Sequence, residues 1–495
     1  MNQTTEDLGL TPSERYLGNL CRNSFLSLWS YPNPYTDRGI GESSRQGKEL
    51  CDLLVVFGKH VIIFSDKSCE FPNTGDVNVD WRRWYKKAID KSAQQIHGAE
   101  KWIRDFPDRV YLDKMCSQKF PFSLLDKGGL IFHRIVVATG ASGRCESFFG
   151  LGSRGSLMLS PSLSDRDHYS DHELGGPFRI GRVNSQKGFV HVFDEVSLDI
   201  VMTELDTITD FVNYLSEKEK FLAQDKVLFC PGEEDLLGFY LNNMSQNGEP
   251  SFDLNGVEIE EGQKIFISEE QWDYYRSSEF RKMRLALAKD GLFIDRLIEH
   301  FTSYVREGTL AYGNEAGLTG NERNLRFLAA EPRIQRALMA NAINQKITTT
   351  PRNVRTSIFM PSSNERTIFF FLLFPKEASW SRKRYRKERQ AALTAYAHVI
   401  RFKSPNVDFV YGLATEPGTS SSARSEDLMS FDFTGWSEEE DEEAQILQKK
   451  LDILVDYSER SLLFDPPNTY RPDLAKGNRK ERRRLKALKR GGRLN

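Results

Sequence analysis

The stretch Gly47–Ser68, GKELCDLLVVFGKHVIIFSDKS, constrains the fold more than any other part of the chain. It contains two short, β-branched, apolar runs, Leu53–Phe57 and Val61–Phe64, split by Gly58–Lys59. Runs of this kind suit a pleated surface, and a tight Gly-containing break between them joins two antiparallel strands. The surrounding sequence predicts helices. Thr11 followed by Pro12 and then Glu14 has the spacing of a capping box with proline at the first helical position. Leu17, Leu20, Phe25 and Leu28 follow at near-helical intervals, until YPNPY at Tyr31–Tyr35 stops the helix. After a polar loop at Lys67–Asp80, Trp81–Asp105 reads as one long amphipathic helix.

The remaining chain alternates in character. Leu130–Ala138, Ser156–Leu159 and Gly188–Phe193 are strand candidates, and Asp206–Glu219 reads as a helix. Residues 220–346 turn helical, notably Glu269–Lys289 and Leu292–Glu307. Thr356–Met360, Thr367–Phe374 and Phe409–Thr415 are further strands, with a basic helix at Ser379–Ala397 between the last two. The organisation expected is a domain at 11–140, a strand-rich continuation at 141–219, a helical connector at 220–346, a second α/β domain at 353–455 and a basic tail at 476–495. Gly418–Glu443, Ser/Gly-rich and then acidic (EEEDEE), is expected to be exposed and partly disordered. The longest apolar run, Ile368–Phe374, has seven residues, where a bilayer span needs about 20. With a polar, acidic N-terminus and six sparse cysteines, the expectation is a cytoplasmic protein without membrane contact.

Chemistry concentrates at the hairpin. Asp52 stands just before its first strand and Lys67 at the end of its second; Ser65 and Lys67 share a face because strand residues two apart do. A carboxylate binds a hard divalent cation, and a lysine nearby serves an attacking water or offsets developing charge. Asp, hairpin, (acid)-x-Lys resembles the PD-(D/E)XK nuclease core, and the order helix, strand, strand, helix fits it, with Arg134–Ala138 as the third strand. The resemblance covers about residues 11–140. It implies an α/β fold: an N-terminal restriction-endonuclease-like mixed sheet flanked by helices, followed by a further α/β region with a helical connector. It also implies that Mg²⁺ or Mn²⁺ sits on Asp52 with Glu49 and Glu14, that Lys67 serves the water, and that Gln94 (or Gln95) orients a ligand or phosphate. The departure is Ser65, where the superfamily carries Asp or Glu; Asp66 is out of phase with it, and Glu49 is the leading substitute.

Two basic runs are candidate nucleic-acid contacts. One is Arg382, Lys383, Arg384, Arg386 and Lys387, with Tyr385 or Trp380 available to stack on a base. The other is the tail, Arg479, Lys480, Arg482, Arg483 and Arg484, within a segment carrying ten Lys/Arg against one Glu from Lys476 to Arg493. The whole chain has a net charge of −2, so the rest of it is acidic. His168 and His172 are four apart, but the surroundings are turn-like and nothing completes a zinc set. Gly140–Gly155 has neither a Gly-Lys-Ser/Thr ending nor a GxGxxG step, which argues against a nucleotide loop, and Cys145 has no placed partner for nucleophilic work.

The expected function is a divalent-metal-dependent nuclease acting on DNA before RNA, by analogy a bacterial restriction or antiviral-defence effector. Its C-terminal two-thirds would serve specificity, self-association or a protein partner. The alternatives are an inactive relative that still binds nucleic acid or assembles, and an interaction scaffold.

Overall fold

In the computed structural model, residues 9–41, 45–125, 129–150, 152–169, 175–224, 227–245, 248–253, 265–309, 317–417 and 425–455 are described. The protein is mixed α/β, with an open mixed sheet flanked by helices, and its contacts divide it into two units that meet at Met283/Arg284 in the sequence.

The first unit is built on five strands in spatial order β1 (Ser30–Pro32), β2 (Leu53–Phe57), β3 (His60–Ser68), β4 (Ile131–Thr139) and β5 (Val190–Phe193). The predicted hairpin is β2 and β3, paired antiparallel from Leu53↔Phe64 to Phe57↔His60. Gly58 has φ +59°, the left-handed value that glycine adopts freely at the first position of such a turn. β1 is antiparallel to β2, whereas β3, β4 and β5 run parallel. Parallel neighbours need a long crossover. Between β3 and β4 it is made by helices α2 (Val77–Tyr85) and α3 (Lys91–Asp105), joined through a π turn at Lys86–Asp90. Asp76 caps α2 by accepting from the backbone N–H groups of Asn78 and Val79. The helix therefore starts four residues before Trp81, where the sequence predicts its start.

Leu54, Val56, Ile63, Val136 and Ala138 meet Trp81, Trp84, Ala88 and Ile96 in one continuous core on this face of the sheet. On the other face lie α1 (Pro12–Phe25), α5 (Ser197–Glu204) and α6 (Ile208–Ala223), counting Ser142–Phe149 as α4. Phe211 of α6 packs against Phe25 and Phe193 at 5.1 and 6.4 Å between ring centroids. Residues 220–283 belong to this first unit, where Val227–Phe229 pairs with Ile265–Phe266 and helix Glu233–Asn242 packs on α5.

His168 sits in a 3₁₀ turn (Asp165–Tyr169), buried against Tyr85 at 4.6 Å between ring centroids. Its Nδ1 lies 3.0 Å from the Asp165 carbonyl, and the Gly181 N–H donates to its Nε2 at 2.9 Å. One ring nitrogen must donate and the other accept, which only the neutral ring can do. Burial lowers its pKa below the ordinary histidine value. The unfolded chain thus binds a proton that the fold refuses. This share of stability is whole above the unfolded pKa of about 6.5 and is lost as pH falls toward the folded value. The melting temperature is expected to drop between about pH 7.5 and 5.5, and to drop less in His168→Gln; thermal unfolding at the two pH values checks it, and equal slopes would refute it.

The second unit pairs Thr356–Pro361 antiparallel with Thr367–Leu373, which runs parallel to Phe409–Thr415, itself antiparallel to Asp427–Asp432. Helix Arg382–Lys403 makes the parallel crossover and buries Tyr385, Leu393, Tyr396 and Ile400 against Phe370, Leu372 and Val410. Of the stretch Gly418–Glu443, residues 418–424 lie outside the described ones, Asp427–Asp432 is a strand, and the acidic run is exposed as expected but helical. Glu438–Glu443 forms the first turns of helix Glu438–Leu451, where Ser437 and Glu440 make a reciprocal capping box. Acidic side chains near a helix N-terminus complement its positive end, so a run that looks self-repelling becomes a helix start. No described helix is long and apolar enough to cross a membrane.

Candidate acidic site at the end of the hairpin

Three of the expected acids do converge. Thr11 caps α1 as predicted, accepting from the Glu14 N–H at 3.2 Å, and Glu14 Oε2 accepts in return from the Leu10 and Thr11 N–H groups at 2.9 and 3.3 Å. The same oxygen accepts from Asn33 Nδ2 at 3.1 Å, and Asn33 Nδ2 also donates to Glu49 Oε1 at 2.8 Å. One amide thus ties the start of α1 to the short strand Lys48–Glu49. Glu14 is both a cap and a site residue; its Oε1 takes none of these bonds.

Asn33 is the residue that sequence reasoning missed. Within YPNPY it reads only as a helix stop, yet it is buried with φ +44°, a left-handed conformation that asparagine tolerates. Its own N–H donates to the Asp52 carbonyl at 3.0 Å, so the turn is pinned to the start of β2. Asn33→Ala would leave two carboxylates facing each other without a donor between them. A loss of about 1–3 kcal/mol of stability is expected from chemical unfolding of the variant. Unaltered stability would show that Asn33 does not organise the acids.

Asp52 opposes Ser65 across the hairpin. Its Oδ2 accepts from the Asp66 N–H at 2.5 Å, and the Ser65 hydroxyl hydrogen-bonds its carboxylate. The Asp52 pKa is raised to about 7: burial is the main cause, the negative charges of Glu49 and Glu14 add to it, and the bonds from Asp66 and Ser65 act against it. Burial also raises Glu49. Anionic oxygens thus crowd around Asp52 and Glu49, and a cation beside them would relieve that crowding.

Asp66 is out of phase with Ser65 and Lys67, as expected, but it is not remote. It lies on the α1 face, where Ser13 hydrogen-bonds it and Glu14 repels it; burial is the main cause of its raised pKa. Its Oδ1 is buried with no hydrogen-bond partner among the described residues. Lys67 is exposed, on the face of β3 that carries Ser65, and among the described residues it makes no ion pair with the acids. The all-oxygen donor set and the orphaned Asp66 oxygen fit a hard divalent cation. The acids are not a closed cage, however: among the described residues, the one group of three donor atoms within 4.8 Å of one another is elsewhere, at His133, His191 and Glu219.

Gln94 is a correction. It is exposed on α3 and donates to Asp90 Oδ1, four residues back, at 3.1 Å. The face of α3 that meets the sheet carries Ala93, Ile96 and His97 instead, because helical periodicity turns both Gln94 and Gln95 to solvent.

The basic helix is also divided by its periodicity. Arg382, Lys383, Arg384 and Lys387 are exposed, and Arg384 lies over the Trp380 ring at 5.3 Å. Arg386 is half-buried and lines a cavity of about 440 Å³ within the second unit. Tyr385 cannot stack on a base: it is fully buried, and its hydroxyl donates to the Phe374 carbonyl at 2.6 Å. Arg479, Lys480, Arg482, Arg483 and Arg484 lie outside the described residues.

Comparison of the chain with family models, with curated proteins and with solved structures finds no match.

Proposed function

We propose that the chain is a divalent-metal-dependent nuclease whose site is formed by Asp52, Glu49 and Glu14, with Asp66 and Lys67 beside them. The observation that carries this reading is the convergence of carboxylates from α1, a short strand and the hairpin on one place, organised by a single buried asparagine. That is the donor set that Mg²⁺ or Mn²⁺ takes, and the bound ion would supply a polarised water and a counter-charge for the scissile phosphate. The acids hold their positions through Asn33 and the Asp66 N–H; Ser65 supports Asp52 in place of the acid found in the PD-(D/E)XK pattern. Lys67, exposed at the end of β3, makes no ion pair with the acids among the described residues, although its charge acts on Asp66, and it is able to meet a phosphate or its attacking water. The exposed lysines and arginines of helix Arg382–Lys403 would add sequence-independent attraction to a polynucleotide, DNA before RNA.

The test is incubation of the full chain with plasmid, single-stranded DNA and RNA in Mg²⁺, Mn²⁺ or EDTA. The reading requires cleavage that EDTA abolishes. Binding without cleavage in every metal would point to an inactive relative, consistent with Ser65, and absence of both binding and cleavage would point to a scaffold.

A further inference from the structure

A second cluster lies on the same sheet, at its opposite end, and is independent of the nuclease reading. His60, His133 and His191 stand on three adjacent strands. In the parallel register His133 pairs with Ile62 and His191 with Ile135, so the three imidazoles share one face of the sheet with Phe64 and Phe193. That face is covered by α6, which contributes Glu219. Six residues of strand, about 20 Å, separate His60 from Asp66.

We propose that His133, His191 and Glu219 bind a divalent transition-metal ion of the zinc class, clipping β4 and β5 to the helix that covers them. One donor atom from each of the three lies within 4.8 Å of the others. Polar contacts already link the members of the cluster. His133 Nε2 lies 3.1 Å from His60 Nδ1, and His191 Nε2 lies 3.0 Å from Glu219 Oε1. Nδ1 of each ring is buried with no partner among the described residues, although the two side chains are only 2% and 0% exposed. A buried imidazole nitrogen ordinarily has a partner. An ion on this cluster would take the place of the His191–Glu219 hydrogen bond, with Glu219 as a ligand, and the bare Nδ1 atoms mark two buried rings whose hydrogen bonding the fold leaves incomplete.

The donor chemistry decides the ion. Two imidazoles and one carboxylate suit zinc, cobalt or iron, whereas magnesium and calcium prefer all-oxygen sets. Neighbouring cations do not veto it. Arg134 and Lys218 both act on the cluster, but each is ion-paired, Arg134 with Glu100 at 2.6 Å and Lys218 with Glu233 at 2.5 Å, so each reaches it with a partner anion beside it.

The test is metal content and affinity of the full chain, stripped with chelator and then titrated with Zn²⁺ and with Co²⁺. One tight equivalent is expected, with cobalt giving visible d–d absorption and zinc raising the melting temperature. His133→Gln is expected to weaken zinc binding by at least about 100-fold. Glu219→Gln, at a partly exposed helix position where the fold is preserved, is expected to remove the zinc-induced thermal shift. Asp52→Asn is expected to leave both readouts unchanged, which separates this site from the acidic one. If the wild-type chain takes up no zinc or cobalt, or takes up as much in His133→Gln and Glu219→Gln as without them, the cluster is a hydrogen-bonded part of the core and the proposal fails.

Discussion

Asp52→Asn is expected to reduce metal-dependent cleavage by at least about 100-fold while making the metal-free protein more stable. The loss of rate follows from removing the buried anionic oxygen at the centre of the acidic group, since a metal clamp supplies several kcal/mol of charge stabilisation. The gain in stability follows from the same crowding. Burial, with Glu49 and Glu14 adding, lifts the Asp52 pKa to about 7, above its unfolded value. Here the raised pKa belongs to an acid, so the folded chain binds the extra proton and the contribution to stability falls as pH rises from about 4 to about 7. Asparagine keeps the shape and can still accept from the Asp66 N–H, but it carries no charge to bury. About 1–3 kcal/mol of added stability at neutral pH in EDTA is expected from urea unfolding. A variant that cleaves at the wild-type rate would overturn the assignment of the site. Lys67→Ala provides a second arm: its side chain is exposed, so cleavage should fall with no change in unfolding midpoint.

The largest loss of stability is expected from Lys218→Met. Lys218 on α6 and Glu233 at the start of the next helix are each 2% exposed, with the ammonium 2.6 and 2.5 Å from the two carboxylate oxygens. The Tyr214 hydroxyl donates to the same carboxylate at 2.7 Å. Methionine fills the space but leaves Glu233 as a buried charge with only a phenol for company. Breaking such a pair costs about 3–5 kcal/mol. Adding Glu233→Gln to Lys218→Met is expected to recover much of the loss, because it removes the orphaned charge. A single variant with near-wild-type stability in chemical unfolding would mean that water reaches the carboxylate.

The hairpin and the helix ahead of it were readable because they depend on neighbours in the chain. Gly58 and the β-branched runs fix β2 and β3, and Thr11, Pro12 and Glu14 fix the start of α1 through bonds spanning three or four residues. Where several local preferences act together, reading them singly fails. Glu438–Glu443 looks like a solvated acidic loop as a composition, but becomes a helix start once Ser437 and Glu440 cap it and the helix dipole is counted.

The candidate site was half legible. Asp52, Glu49 and Glu14 were named from type and order, and they meet. Asn33, which joins two of them, gave no signal, because a turn asparagine has the same appearance whether its amide faces water or two carboxylates. Gln94 and Tyr385 failed for another reason. A residue type in the right segment says nothing about rotation, and the helix turns Gln94 outward and Tyr385 inward.

By itself the sequence determined the hairpin, the capped helix and the acid-rich stretch, since each is set by backbone preference and side-chain spacing over a few residues. Only the tertiary structure decided that β5 joins β4 more than fifty residues later, bringing His191 beside His133, and that two carboxylates from separate elements share one asparagine. Those meetings depend on parallel pairing and on helices packing across a sheet, and no local property of the chain encodes which distant residues will face each other.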